Sequence, residues 1–541
     1  MSRRPAPPLV APRPGAASRR DFLQITGAAG LGLMLGGGSV ALGAQPQSGG
    51  RIRVQMSLSA LRDPRLATRS QMTNFTRGWL EYLLEYDTDG QFHPKLLEAW
   101  EISEDTRQVS LQLRAGVRWS NGEALTAEHI AFNLRRWCET EVPGNSMAAR
   151  LAALIDPATG RAAEEAIRVI DPLHLQLHLR RPDATLLAGL ADYPAAVVHP
   201  SFTEESMLSA PVGTGPYLPE SYEPGKRAVL RREDSHWWGR GSGAWAETIE
   251  YLDTGAAPGR IAEAAAKGRI DLTDDTATDL APQLASLGWN PSVMASAATL
   301  TARFNLRDEI FRDARVREAL TLVTDNRVVL ELGLAGRGSV AANDHVWPGQ
   351  PDYAPQPPLP EPDRERALEL LRAAGLDEHE FELISLDDDW QALSADAIAV
   401  QCLDAGIKVR RKRLPLEVFW EGWRTHPWSV TEWNMRPLGI QSLALAYRST
   451  SAWNETGFAD PEFDHLLDEA LAIRDDAARR PVMDKLQKRL RESFVIIQPF
   501  WRDLSQHSAP QIFGAQVHPM FEHHHTAWWR DPPIDPDQAG D

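Results

Sequence analysis

Several groupings of side chains in this sequence carry functional groups dense enough to do chemistry. His518, Glu522 and the run His523-His524-His525 have the ligand types of a transition-metal site. Successive residues of an extended strand point to opposite faces, so three adjacent histidines do not converge on one ion. The run reads as a solvated tail that holds metal loosely at most. Asp274-Asp275 and Asp387-Asp388-Asp389 offer the carboxylate pairs that glycoside hydrolysis needs, but in a chain of net charge −17 they read as solvated loops. Gly213-Thr214-Gly215-Pro216-Tyr217 contains a GxG, yet Pro216 and the missing third glycine spoil a dinucleotide fingerprint. The two cysteines, Cys138 and Cys402, lie far apart without a CxxC, so a structural zinc site is unsupported. Each falls on an apolar helical face (Leu134, Trp137, Cys138; Ile398, Cys402, Ala405), and both read as buried free thiols. No GxSxG, HExxH or P-loop pattern occurs. These residues point to no catalytic activity and no cofactor. Eighteen tryptophans invite a stacking role toward sugars or aromatics, but most are expected in cores.

The elements that must position such groups belong to a chain too long for one core; 541 residues predict two or three domains. Residues 1–44 carry five arginines and one aspartate, leaving about −21 on the remainder. Such an acidic surface excludes nucleic acid as a partner, because phosphate binding needs clustered Lys and Arg. Strand-like alternation marks residues 51–58, 109–113 and 167–179, the last broken by Asp171-Pro172. Thr126 opens a helix over 126–138. Residues 301–306 read as a strand leading to a helix over 313–324. The stretch 347–362, with seven prolines, reads as an extended loop. A helix over 363–374 is closed by Gly375. Residues 381–385, 394–405 and 407–411 make a β-α-β pattern, the mark of an α/β architecture. Two helices over 461–473 and 475–493 precede a strand over 495–501.

Four segments, in fixed order, resemble family 5 of the bacterial extracellular solute-binding proteins, the peptide/nickel-type receptors of ABC importers. They are YDTDGQFHPKLLEAWEISED (Tyr86–Asp105), LRAGVRWSNGEALTAEHIAFNL (Leu113–Leu134), GTGPY (Gly213–Tyr217) and FRDARVREALTLVTDNR (Phe311–Arg327). The resemblance implies a two-lobe periplasmic-binding-protein fold of the large class, with an inserted subdomain and a ligand cleft between lobes joined by a two-crossing hinge. It divides the chain into lobe I (45–96), the inserted subdomain (97–206), more of lobe I (207–304), lobe II (305–498) and a return to lobe I with a tail (499–541). Crossings are expected near Asn305 and Gln498-Pro499. At the amino terminus, Ser18-Arg19-Arg20-Asp21-Phe22-Leu23-Gln24 and the Gly/Ala-rich stretch after it resemble a twin-arginine export signal over 1–44. No cysteine lies near its end, so a lipoprotein is not expected.

The resemblance also implies site residues. Family peptide receptors carry an Asp three residues after a lobe II Trp, where it pairs with a peptide's α-ammonium. The matching segment here is Glu432-Trp433-Asn434-Met435-Arg436, so Arg436 stands in the Asp position. A guanidinium there favours a carboxylate or phosphate. Trp433 and Trp453 would form stacking walls, Asn454 and Glu455 would face the cleft, and Glu455 would supply a cation partner. Glu81 matches a lobe I Glu of the family and would reach a ligand amine. The implied function is a periplasmic, monomeric substrate-binding component of an ABC importer. It would capture a peptide-like, zwitterionic or anionic solute (an opine-like amino-acid conjugate among them) and deliver it to permease and ATPase subunits. Export would use the twin-arginine translocase. An exported hydrolase or cofactor-carrying enzyme, and a sensor or chaperone of the same fold, stay open as alternatives.

Overall fold

The computed structural model describes residues 45–387 and 389–533. The segment read as an export signal, residues 1–44, lies outside them. Among the described residues no helix is long and apolar enough to cross a membrane.

A twelve-stranded mixed sheet organises the chain. At one end Arg51–Gln55 lies parallel to Thr248–Leu252 and Leu272–Thr273, with the antiparallel pair Tyr217–Glu223 and Arg227–Arg232 beyond. At the other end Phe381–Leu386 lies parallel to Val409–Leu414 and Trp428–Trp433, with the helix Asp389–Asp404 as the crossover. Two strands join these ends. Asn290–Phe304 pairs antiparallel with Phe500–Ser508 through residues 290–295, shifts register between Ala295 and Thr299, then pairs through 299–304 with Trp433–Trp428. From Thr299 onward the strand gains Trp428–Trp433 as a second neighbour, while its other edge goes on pairing with Trp501, Ile497 and Ile496. The expected strand over 495–501 is interrupted: Ile496–Ile497 and Phe500–Ser508 are separate strands. Pro499 has no N–H to give the ladder, and the Gln498 N–H donates to Asn343 Oδ1 at 2.8 Å.

The apolar residues divide accordingly. One core gathers Ile52, Leu83, Leu111, Ile130, Leu230 and Ile249 with Ala509 and Trp528. Another holds Leu300, Phe304, Val316, Leu383, Ile398 and Val430. A third, around Ile440, Phe463, Leu467 and Leu486, packs the helices Gly439–Tyr447, Pro461–Leu471 and Asp476–Ser493. Within the first lobe a four-stranded antiparallel sheet, Leu97–Ile102, Gln108–Leu113, His174–His178 and Ile167–Asp171, is covered by the helix Ala127–Trp137. Ala188, from the same region, enters the third core, so the inserted segment touches the second lobe.

Local signals hold where chemistry dictates them. Gly375 ends the helix Arg364–Ala374 at φ 71°, and Asp363 caps its start. The proline-rich stretch is without helix or strand. Cys138 and Cys402 are buried and free, with burial pushing both thiols up to about 12. The GTGPY loop needs its glycines for contact with backbone. A Cβ on Gly213 would collide with the Trp79 carbonyl, and one on Gly215 would lie 2.7 Å from the Gly78 oxygen.

Candidate ligand-binding site

A cavity of about 1030 Å³ lies between the lobes. Thr68–Arg69, the Val142–Arg150 region and Arg181–Thr185 line it from the first lobe; Trp390, Trp420, Trp423, Trp433 and Trp453 line it from the second. Trp453 packs against Trp433 at 5.9 Å and Trp423 at 6.4 Å between ring centroids, a continuous indole wall. Rings so placed offer large apolar area at little cost in side-chain freedom.

The cavity is also cationic. Eight arginines line it against three acids, Asp183, Asp275 and Glu432, although the whole chain carries −17. Arg436 sits in the loop after the strand Trp428–Trp433, before the helix Gly439–Tyr447. Asp352 anchors that helix by accepting the Gly439 and Ile440 N–H groups at 2.8 and 3.0 Å. Arg436 is 2 % exposed and places Nε 3.3 Å from Oδ2 of Asp192, a first-lobe residue. The same oxygen accepts from Arg150 Nε at 2.6 Å. Burial alone would raise the Asp192 pKa; the two guanidiniums outweigh it and hold the carboxyl below the usual range. His345, buried beside Tyr447, is pushed down to about 3 by burial and then by Arg436, so it adds no charge.

A second ionic group spans the lobes. Arg502 donates to Glu432 at 2.5 Å and to Asp275 at 2.8 Å. Burial raises the Glu432 pKa against the pull of Arg502.

The structure brings Arg436, Trp433 and Trp453 to the cavity wall and puts the other expected residues elsewhere. Glu455 is buried and committed: it accepts from Thr431 Oγ1 at 2.8 Å and Trp433 Nε1 at 2.9 Å, and lies 3.3 Å from Arg303 Nε. It does not line the cavity, and its charge is matched by Arg303. Asn454 is a loop staple, donating to the Arg448 and Phe458 carbonyls and accepting from Thr456. Glu81 lies apart from the cavity, where both oxygens accept indole N–H groups, from Trp237 at 3.3 Å and Trp238 at 2.8 Å, with Lys95 3.8 Å away. The neighbouring tryptophans Trp237-Trp238 thus serve a buried carboxylate. Sequence reasoning missed Arg150, Asp192 and the buried amide of Gln441, whose side chain also lines the cavity. No local motif marks them, because they meet only where the lobes meet.

The histidine tail is packed, not solvated. His523 and His525 both engage the Tyr251 hydroxyl, at 2.9 and 2.6 Å, while His524 faces the other way and stacks on His518. His518 Nδ1 accepts from the Met520 N–H and Nε2 faces the Tyr86 carbonyl at 2.8 Å, so neither nitrogen is left for a metal. Glu522 pairs with Arg77. Glu123, His129 and His199 also cluster. There Trp119 Nε1–H donates to His129 Nδ1 and the Ser201 N–H to His199 Nδ1, which puts each neutral ring's proton on Nε2, facing Glu123. Both clusters are closed hydrogen-bond networks rather than open ligand sets.

Comparison with known proteins fits this arrangement. The family model for bacterial extracellular solute-binding proteins, family 5 (middle region), matches residues 91–455. The dipeptide-binding protein of Escherichia coli K12 is 24% identical over 298 residues, 52% of this chain; the match spans only 55% of that relative's length. The probable ABC transporter periplasmic-binding protein SapA of the same organism is 24% identical over 443 residues, 75% of this chain and 78% of SapA. Among solved structures, the PBP AgaA of A. tumefaciens R10, in complex with agropinic acid, superposes with a TM-score of 0.79 at 18% identity, covering 89% of this chain and 99% of AgaA. The fold is that of the two-lobe periplasmic binding proteins.

Proposed function

The chain belongs to family 5 of the bacterial extracellular solute-binding proteins, and from that premise we propose that it is the periplasmic substrate-binding component of an ABC importer. It captures a peptide-like or other zwitterionic or anionic solute between its lobes and hands it to a membrane permease powered by an ATPase. One observation carries this reading: the cavity of about 1030 Å³ is walled by both lobes and lined by indoles and guanidiniums. That volume is at the upper end of small-molecule sites, room for a ligand of several residues' size. Closure around the ligand would bury it on all sides, with polar groups at few points setting its orientation.

Residues of both lobes take part: Arg436, Trp433 and Trp453 from the second lobe, and the Arg150 region from the first. The protein acts as a monomer without catalytic chemistry. Residues 1–44 direct its export through the twin-arginine translocase, and the lobe crossings lie near Asn305 and Gln498-Pro499. Relatives named as peptide-binding and periplasmic support this reading, and AgaA with agropinic acid supports an acidic ligand.

Native mass spectrometry of the mature protein isolated from its own periplasm is the test. A discrete small-molecule mass lost on denaturation is expected. Absence of such a mass, together with no thermal stabilisation by any member of a solute library, overturns the reading.

A further inference from the structure

We infer that the ligand is an organic acid whose acid group seats between Arg150, Arg436 and Gln441, completing a charge balance that the protein leaves open across the lobe interface. The inference rests on the binding-protein reading above and names the chemistry its ligand must carry.

The first observation is a charge count. Arg150 and Arg436 are 4 % and 2 % exposed and share one buried carboxylate, that of Asp192. Arg77, the next cation in range of Asp192, is already matched by Glu522. His345, near Arg436, is neutral. Two buried guanidiniums against one carboxylate leave an excess of one positive charge at the cavity wall. An uncompensated buried charge is strongly destabilising, and an incoming anion relieves it.

The second observation is independent of charge. Gln441 is 3 % exposed and lines the same cavity, and neither its amide nitrogen nor its amide oxygen has a hydrogen-bond partner. Buried amides are almost always bonded within the protein. This one can donate to an acid oxygen. The Arg150 guanidinium also lies 5.3 Å from the Trp453 ring centroid, so a flat or apolar body attached to the acid meets the indole wall. Because Arg150 comes from the first lobe and Arg436 from the second, the acid group also ties ligand capture to lobe closure.

Matched acid and primary-amide pairs, from indole-3-acetate to N-acetyl-trialanine, are titrated into the full mature chain by calorimetry and thermal shift. At least one acid is expected to bind, with its amide at least tenfold weaker. Gln441→Leu should weaken that acid about tenfold while leaving the ligand-free melting temperature unchanged or higher. Arg436→Gln should weaken it at least tenfold. An amide that binds as well as its acid, failure of every acid, or unchanged acid affinity in Gln441→Leu and Arg436→Gln overturns the inference. Binding of trilysine amide or a neutral sugar in place of any acid would overturn it while leaving the binding-protein reading standing. Failure of all solutes, with no co-isolated mass, would remove both.

Discussion

Glu455 shows how a residue can stand in the expected place and do a different job. It is the counter-ion of Arg303, whose guanidinium is wholly buried and otherwise reaches only the Trp423 and His426 carbonyls. Glu455→Gln removes that charge and should destabilise the protein by about 3–5 kcal/mol in urea unfolding, with or without ligand. A ligand-binding role alone would leave the ligand-free protein unchanged. Asp344 sets a pH dependence. Burial outweighs Gln487, the Val346 N–H and Arg491 and lifts its carboxyl to about 6. The folded state therefore holds this proton more tightly than the unfolded chain, where the value is about 3.9. The associated stability is full below about pH 4 and fades as pH rises through about 6, on the order of 2–3 kcal/mol. Asp344→Asn should flatten the stability profile over that window; an unaltered slope would discount the assignment. Arg436, Trp433 and Trp453 were legible from a resemblance, since they lie in one short segment and its neighbour. Arg150 and Gln441 were not, because an arginine on a short helix and a glutamine in an apolar helix give no signal until another lobe faces them.

At the scale of elements, legibility followed local chemistry. The helix Arg364–Ala374 could be bounded from its Asp and Gly ends, and the Asp171-Pro172 break correctly separated two strands. The strand Asn290–Phe304 was visible only in its last residues. Its first half, Asn-Pro-Ser-Val-Met-Ala-Ser-Ala, has little intrinsic strand preference and is extended because Phe500–Ser508 lies alongside. The histidine tail failed for a related reason: the buried Tyr251 that receives it is hundreds of residues away in sequence. The GTGPY loop offers an element-scale test. Gly213 is fixed by the Trp79 backbone, which cannot yield as a flexible side chain would. Gly213→Ala should cost about 2–3 kcal/mol in thermal or denaturant unfolding, whereas Gly116→Ala, where nothing crowds the new methyl group, tests only the cost of a positive φ. Equal losses would show that backbone approach is not what the loop requires.

For the whole molecule, the long strand and its partner make the lobes share a sheet rather than a flexible tether. The register of that shared ladder shifts between Ala295 and Thr299. The partner strand Phe500–Ser508 has a further consequence, in the order of manufacture. It lies between Leu272–Thr273 and Asn290–Phe304 in space, yet it is synthesised well after both. Domains ordinarily fold as they emerge, amino-terminal first. Here the sheet of the first lobe has a missing middle until residue 508 is available, so that lobe cannot finish on the ribosome ahead of the second. A chain ending at residue 499 should expose its amides to rapid hydrogen exchange over 51–55 and 248–273, while 381–414 stays protected.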